Sequence, residues 1–152
     1  MSSVSSKYID IPQTLPSAVE FEDLGEHLLC FSARAHAKVV MLYIKFDGLV
    51  ESINKKQNNL ALQAITERLL LRSRESDIYA HIQGMEFANL SIQTSENHVA
   101  IVVEKLKNKL AEPIFLDDGS RIKLNAKIGI AEYPANGSTH QDLLYVASRD
   151  VH

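Results

Sequence analysis

Cysteine, tryptophan and long apolar runs are scarce or absent in this sequence. Its 152 residues include one cysteine, Cys30, and no tryptophan. A lone cysteine excludes an intrachain disulfide framework and a CxxC site, and it favours a reducing, cytoplasmic location. No apolar run approaches the length of a transmembrane helix, and the serine-rich start Met1–Ser6 lacks the apolar core of a signal peptide. We therefore predict a cytoplasmic domain without a membrane segment.

Binding motifs of several common kinds are also missing. The formal net charge of −3 gives no electrostatic basis for nucleic-acid binding. The six histidines have neither HxxxH nor HExxH spacing, so the sequence predicts no transition-metal site. Neither a Walker loop nor a GxGxxG motif occurs. We therefore expect no nucleic-acid partner and no metal-binding residues.

What the sequence does contain is a regular apolar pattern. Ser17–Glu20 has capping-box spacing and predicts a helix that runs to about Ala35, with Cys30 as a small core residue. The nearly continuous apolar run Val39–Phe46 predicts a strand buried on both faces. Short alternating runs on either side of Gly84 predict a β-hairpin. The first half of the chain thus supplies a buried strand and a hairpin to pair with it.

The remaining elements follow from capping residues and further apolar spacing. We expect a short helix over Leu49–Ile53, a break at Lys55–Asn59, and a second helix that ends near Arg74. Ser95 is the predicted N-cap of a third helix, and Arg121–Tyr133 is a long predicted strand. Thr139 is predicted to start the last helix.

The resulting order of elements is α-β-α-β-β-α-β-α. Helices alternating with strands, together with one hairpin, indicate an α/β or α+β sandwich in which helices pack on a sheet. The sheet should be centred on Val39–Phe46, with the third helix and the helix before Arg74 on one face. We expect a flexible leader over residues 1–9 and a single domain over residues 10–152.

Four segments carry a resemblance to a known family. They are Asp10–Phe21 (family pattern DxLTGLPNRxxF), Arg74–Phe87 (RESDxxARLGGDEF), Lys127–Pro134 (SIGIAxYP) and Leu143–Ala147 (LLxxAD). In this order and at this spacing they resemble a GGDEF domain, the catalytic module of diguanylate cyclases. The resemblance implies a nucleotide-cyclase fold, which is a ferredoxin-like βαββαβ core with helices packed on a mainly antiparallel sheet.

The resemblance also implies where catalysis would take place. Family members join two GTP molecules into cyclic di-GMP, using Mg²⁺ held by an Asp at the end of the first strand and by the acidic third residue of GGDEF. Those positions here are Lys45 and Met85, and the whole motif reads Gln83-Gly84-Met85-Glu86-Phe87. A thioether is a poor Mg²⁺ ligand, and an ammonium group repels a cation. We therefore predict no catalytic residues, no metal and no other cofactor, although Asp47 and Glu86 survive from the family pattern.

Two nucleotide sites remain as expectations. Arg74-x-x-Asp77 matches the inhibitory site at which the family binds cyclic di-GMP, and Lys105 is the further cation that the spacing favours. Arg74 and Asp77 could equally well pair with each other at the end of a helix. Lys45 and Asn54 are candidate contacts for GTP, and the alternative is that Lys45 points into solvent.

We therefore predict a catalytically inactive GGDEF-type domain that acts as a regulatory or interaction module in cyclic di-GMP signalling. It would bind cyclic di-GMP at the RxxD site, or GTP without turnover. One alternative is an active diguanylate cyclase with displaced metal ligands, and another is a protein-interaction scaffold that binds no nucleotide. The partners that the resemblance implies are a cyclic di-GMP phosphodiesterase (EAL) domain of a longer signalling protein and a second copy in a homodimer.

Overall fold

The computed structural model describes residues 15–47, 55–72, 77–115, 119 and 121–151. Within these ranges ten elements follow one another: α1 (Ala18–Ala35), β1 (Val39–Asp47), α2 (Lys55–Arg72), β2 (Asp77–Gln83), β3 (Glu86–Ile92), α3 (His98–Leu110), β4 (Ile114–Phe115), β5 (Arg121–Ile122), β6 (Asn125–Tyr133) and α4 (His140–Arg149). The predicted leader over residues 1–9 lies outside the described residues, as do Asn54 and Arg74. Within the described ranges, no helix is long and apolar enough to cross a bilayer.

A four-stranded antiparallel sheet with the order β2-β3-β1-β6 organises the domain. β1 lies inside the sheet, with β3 on one side and β6 on the other. Because side chains alternate across a strand, its two faces bury two different sets of residues. α2 and α3 cover the face that carries Val40, Leu42 and Ile44, whereas α1 and α4 cover the face that carries Met41 and Tyr43. The predicted α+β sandwich, with its sheet centred on β1, is confirmed.

Several predicted element boundaries are confirmed and others are wrong. The capping box at the start of α1 is present: the Glu20 amide donates to Ser17 Oγ at 3.3 Å, and the Ser17 amide donates to Glu20 Oε1 at 3.0 Å. Thr139 likewise caps α4, because its hydroxyl oxygen accepts from the Asp142 amide. Cys30, however, is exposed on α1 rather than part of the core.

Three other boundaries differ from the prediction for physical reasons. Lys55–Asn59 does not break a helix but forms the first turns of α2, because lysine and glutamine are good helix formers. The short helix predicted over Leu49–Ile53 lies outside the described residues. Ser95 lies in the turn before α3 and does not cap the helix, which begins three residues later at His98. The His98 ring bonds there to the side chains of Ser91 and Thr94, which both precede the turn. The long predicted strand divides at Leu124, which is buried in the core, so that β5 pairs with β4 and β6 pairs with β1.

α1 and α4 meet at a buried histidine. The His140 side chain is 1% exposed, and its ring lies edge-on against Phe21 with the centroids 4.6 Å apart. Gly25 leaves the space for that ring, and the His140 backbone amide donates to Glu26 at 3.3 Å. Both ring nitrogens are buried and have no hydrogen-bond partner among the residues that the structure describes. Burial lowers the pKa of His140, and the nearby charges of Glu22 and Glu26 act in the opposite direction.

Candidate functional site at the end of the central strand

The candidate site lies where the end of β1 meets the turn between β2 and β3. The pairing of β1 with β3 places Lys45 directly opposite Glu86, and the pairing with β6 places Lys127 on its other side. The Phe46 amide donates to the Met85 carbonyl at 3.1 Å, which ties the strand end to the turn. The structure therefore places the backbones of Lys45 and Met85, the positions that the resemblance marks as the family's metal ligands, at one corner. Their side chains lie on different faces of the sheet: Met85 packs in the core with Phe46, whereas Lys45 shares the face of Tyr43.

The turn itself is shaped by Gly84 and closed by His81. Gly84 has φ of +44° with open space beyond its Cα, so the backbone conformation, rather than crowding, favours glycine here. The pairing of β2 with β3 shifts register between His81 and Gln83. His81 Nε2 donates to the Gly84 carbonyl at 2.7 Å, and its ring lies 5.0 Å from that of Phe87. His81 thus has a structural role: it closes the turn and packs against Phe87.

Tyr43 is a member of this site that the sequence analysis missed. Its hydroxyl donates a short hydrogen bond to the Glu86 carboxylate. Burial raises the pKa of the Tyr43 phenol well above its usual range, and the hydrogen bond and charge of Glu86 raise it further. A sequence signal exists, because Tyr43 and Lys45 are two residues apart on one strand and so share a face. The sequence does not show the register in which β3 pairs with β1, and this register is what places Glu86 on that face.

The donors described at this corner do not fit a divalent cation. Met85 is 8% exposed and supplies a thioether, and the exposed Lys45 supplies a positive charge. The half-buried Glu86 carboxylate is already engaged by Tyr43. Mg²⁺ takes oxygen ligands in octahedral geometry, whereas the side chains that the structure describes at this corner offer one carboxylate opposite an ammonium group. Asp47 ends β1, and its side chain lies outside the described part of the chain.

Comparison with known proteins identifies the family. The family model described as diguanylate cyclase, GGDEF domain, matches residues 14–151. The chain belongs to the GGDEF domain family. The crystal structure of the GGDEF domain of TpbB from Pseudomonas aeruginosa is similar to this one with a TM-score of 0.80 at 29% identity, covering 91% of this chain and 88% of that chain. The predicted family and fold are thereby confirmed.

Two curated relatives of this GGDEF domain, both from Pseudomonas aeruginosa, are much longer proteins. It is 30% identical to the cyclic di-GMP phosphodiesterase NbdA over a matched segment of 107 residues. This segment covers 70% of this chain and 14% of NbdA. It is 26% identical to the bifunctional diguanylate cyclase/cyclic di-GMP phosphodiesterase MucR over a matched segment of 133 residues. This segment covers 86% of this chain and 19% of MucR. The chain thus spans less than a fifth of the length of each of these relatives.

The second candidate site of this GGDEF domain, at the RxxD motif, is described in part. Asp77 is half-buried and is the first residue of β2, where it pairs with Ser91 of β3. Lys105 is exposed on α3, next to the buried Leu106. Arg74 lies outside the described residues, and so does Asn54 of the candidate GTP contacts. The convergence of Arg74, Asp77 and Lys105 therefore stays a prediction.

Proposed function

We propose that this chain is a catalytically inactive GGDEF domain that serves as a regulatory or interaction module in cyclic di-GMP signalling. The observation that carries the proposal is the pairing at the end of β1, where Lys45 lies opposite Glu86 and Glu86 is engaged by Tyr43. Joining two nucleoside triphosphates requires a divalent cation to offset the charge on the phosphates. A corner with a lysine and a methionine at the ligand positions cannot hold that cation.

The ligand that we propose is cyclic di-GMP bound at Arg74, Asp77 and Lys105. A guanidinium fork can bind a phosphate or the Hoogsteen edge of guanine, and a carboxylate can accept from guanine N–H groups. Lys105 supports this proposal because its side chain is exposed and available to an anionic ligand. GTP binding without turnover is the second mode, with the exposed Lys45 and with Asn54 as its contacts.

The partners that we propose are the other domains of a longer signalling protein. The names of NbdA and MucR, a phosphodiesterase and a bifunctional cyclase/phosphodiesterase, support an adjoining phosphodiesterase (EAL) domain. A homodimer is the other proposed assembly. A cytoplasmic location stays a prediction that rests on the scarcity of cysteine.

Catalysis is tested by incubating the purified chain with GTP and either Mg²⁺ or Mn²⁺, and by measuring cyclic di-GMP with mass spectrometry. We expect no product from the wild type. The double variant Lys45→Asp/Met85→Asp restores two carboxylates and should increase Mn²⁺ binding measured by calorimetry. The control Lys38→Asp makes the same lysine-to-aspartate change at an exposed position just before the opposite end of β1 and should leave Mn²⁺ binding unchanged. Product from the wild type that disappears on Glu86→Ala would establish the active-cyclase alternative instead.

Ligand binding is tested by calorimetric titration with cyclic di-GMP and, separately, with GTP and Mg²⁺. Loss of a charge-assisted contact costs about 1.5–3 kcal/mol, so Arg74→Ala should weaken cyclic di-GMP binding by roughly one to two orders of magnitude. Arg34→Ala, on the exposed part of α1, is the matched control and should leave the affinity unchanged. If neither nucleotide binds at high micromolar concentration, the scaffold alternative is the correct one.

A further inference from the structure

A groove lies between α3 and the outer strand β6. Its volume is about 640 Å³. The residues that form it share one face of α3 and one face of β6, and they divide into an apolar floor and a charged rim. The floor consists of Val99, Val103 and Ile130, and the rim carries Glu96, Glu104, Glu132 and Lys107.

The floor of the groove is apolar and incompletely covered. Val99, Val103 and Ile130 pack in part on the core and remain half-exposed. Burying the rest of such surface against a partner is favourable by about 25 cal/mol per Å². Three carboxylates against one ammonium group give the rim a net negative charge. An occupant that matches this surface therefore combines an apolar stripe with flanking positive charges.

The edge of β6 argues against an extended peptide as that occupant. An open edge strand usually invites another strand to pair with its free amides. Here the Ile130 amide donates to Asp150 Oδ2 at 3.0 Å, and the Glu132 amide donates to Asn136 Oδ1 at 2.7 Å. These two side chains occupy the donors that an added strand would need beside the groove. A bound helix does not need free backbone amides on β6, because its own backbone hydrogen bonds are internal.

We propose that this groove binds a basic amphipathic α-helix of a partner protein, which lays apolar residues spaced i, i+3, i+4 and i+7 on the floor and aligns lysines or arginines with the rim. A second copy of this chain fits less well. Among the described helices, α1 exposes the most large apolar side chains (Val19, Leu24 and Phe31), whereas α3 and α4 expose one each, and α1 also carries Glu20, Glu22, Asp23 and Glu26. Docking it into an acidic groove would bring like charges together.

The test uses a synthetic helical peptide of about 15 residues, with leucines at the spacing above and lysines on both sides of the leucine stripe. Backbone amide shifts of the isotope-labelled chain are followed during titration. We expect saturable shifts in α3 and β6, around Val103 and Ile130. The matched peptide with glutamates in place of the lysines should leave these shifts unchanged.

The rim is tested with Glu104→Gln/Glu132→Gln, which keeps the shape of the groove and removes two charges. Two exposed ion pairs are worth about 0.2–1 kcal/mol each, so affinity for the lysine peptide should fall roughly two- to thirtyfold and become less dependent on salt. The control Glu67→Gln/Asp23→Asn removes two exposed carboxylates elsewhere and should bind like the wild type.

Three results would overturn the proposal. The first is the absence of shifts in α3 and β6 at millimolar peptide, and the second is equal binding of the glutamate peptide. The third is a dimer of the chain in sedimentation experiments that Val103→Ser dissociates, because the groove would then be covered by a second copy.

Discussion

Replacing Gly25 with alanine should destabilise this domain, although a glycine-to-alanine change in the interior of an ordinary helix usually stabilises that helix. Glycine inside a helix is about 0.5–1 kcal/mol less favourable than alanine. Gly25, however, is buried in α1 against the His140 ring, and an added Cβ would lie 2.2 Å from His140 Nδ1 and 2.9 Å from Cε1. Atoms in normal contact are about 3.5–4.0 Å apart, so the ring would have to move by more than 1 Å.

The ring has little room for that movement. His140 is 1% exposed, and Phe21 lies edge-on against it. Overpacking of this kind typically costs about 1–3 kcal/mol, which exceeds the gain in helix propensity. We therefore expect Gly25→Ala to lower the free energy of unfolding by roughly 1–2 kcal/mol, with a fall in Tm of about 2–8 °C for a chain of this size.

A double-mutant cycle with His140→Ala shows whether the ring is the cause. Once the ring is removed, Gly25→Ala should stabilise the domain, because only the helix-propensity gain remains. Urea unfolding of the four proteins gives the coupling energy between positions 25 and 140. Stabilisation by Gly25→Ala in the wild-type background, or an equal effect in both backgrounds, would refute this reasoning.

Three further predictions concern the same two faces of the sheet. Gly129→Ala would place a Cβ 1.9 Å from the Ala147 carbonyl oxygen in the backbone of α4, and urea unfolding should show a loss of about 3 kcal/mol or more. Tyr43→Phe removes the hydrogen bond to Glu86 and should cost about 1–3 kcal/mol in the wild type but little in a Glu86→Ala background. Burial lowers the pKa of His140 in the folded state. The contribution of His140 to stability should therefore be largest above about pH 6.5 and should fall as the pH drops from there towards the lowered folded-state pKa. The difference in unfolding free energy between the wild type and His140→Leu, measured from pH 8 to pH 5, tests this expectation.

The sheet could be predicted from the sequence because its central strand has an unambiguous pattern. The run Val39–Phe46 is apolar at nearly every position, and in the structure Val40, Leu42 and Ile44 are all 1% exposed or less. Helix starts were harder to predict. The cap at Ser17 involves two residues three apart, a spacing that can be seen in the sequence. At the start of α3, by contrast, the His98 ring hydrogen-bonds to Ser91 and Thr94, which are seven and four residues earlier.

The site was predictable as a set of positions but not as a set of contacts. Spacing and the family pattern mark Lys45 and Met85 as neighbours, and in the structure their backbones lie at one corner, with Lys45 opposite Glu86 and the Phe46 amide bonded to the Met85 carbonyl. Tyr43 and His140 escaped notice because each acts on residues far away along the chain: Glu86 in the first case, and Phe21 with Gly25 in the second. Apolar periodicity reports which face a residue occupies and carries no information about the partner opposite it.

The two proposed binding surfaces use different sides of α3, and this geometry has a consequence for regulation. Successive helix residues are about 100° apart, so Lys105 lies roughly 200° round the helix from Val103. Lys105 is the proposed contact for cyclic di-GMP, whereas Val103 lies in the floor of the groove. Neither ligand would therefore exclude the other at this helix. Any coupling between them must instead pass through the position of α3 on the sheet, which is fixed by the buried Leu106 and Leu110.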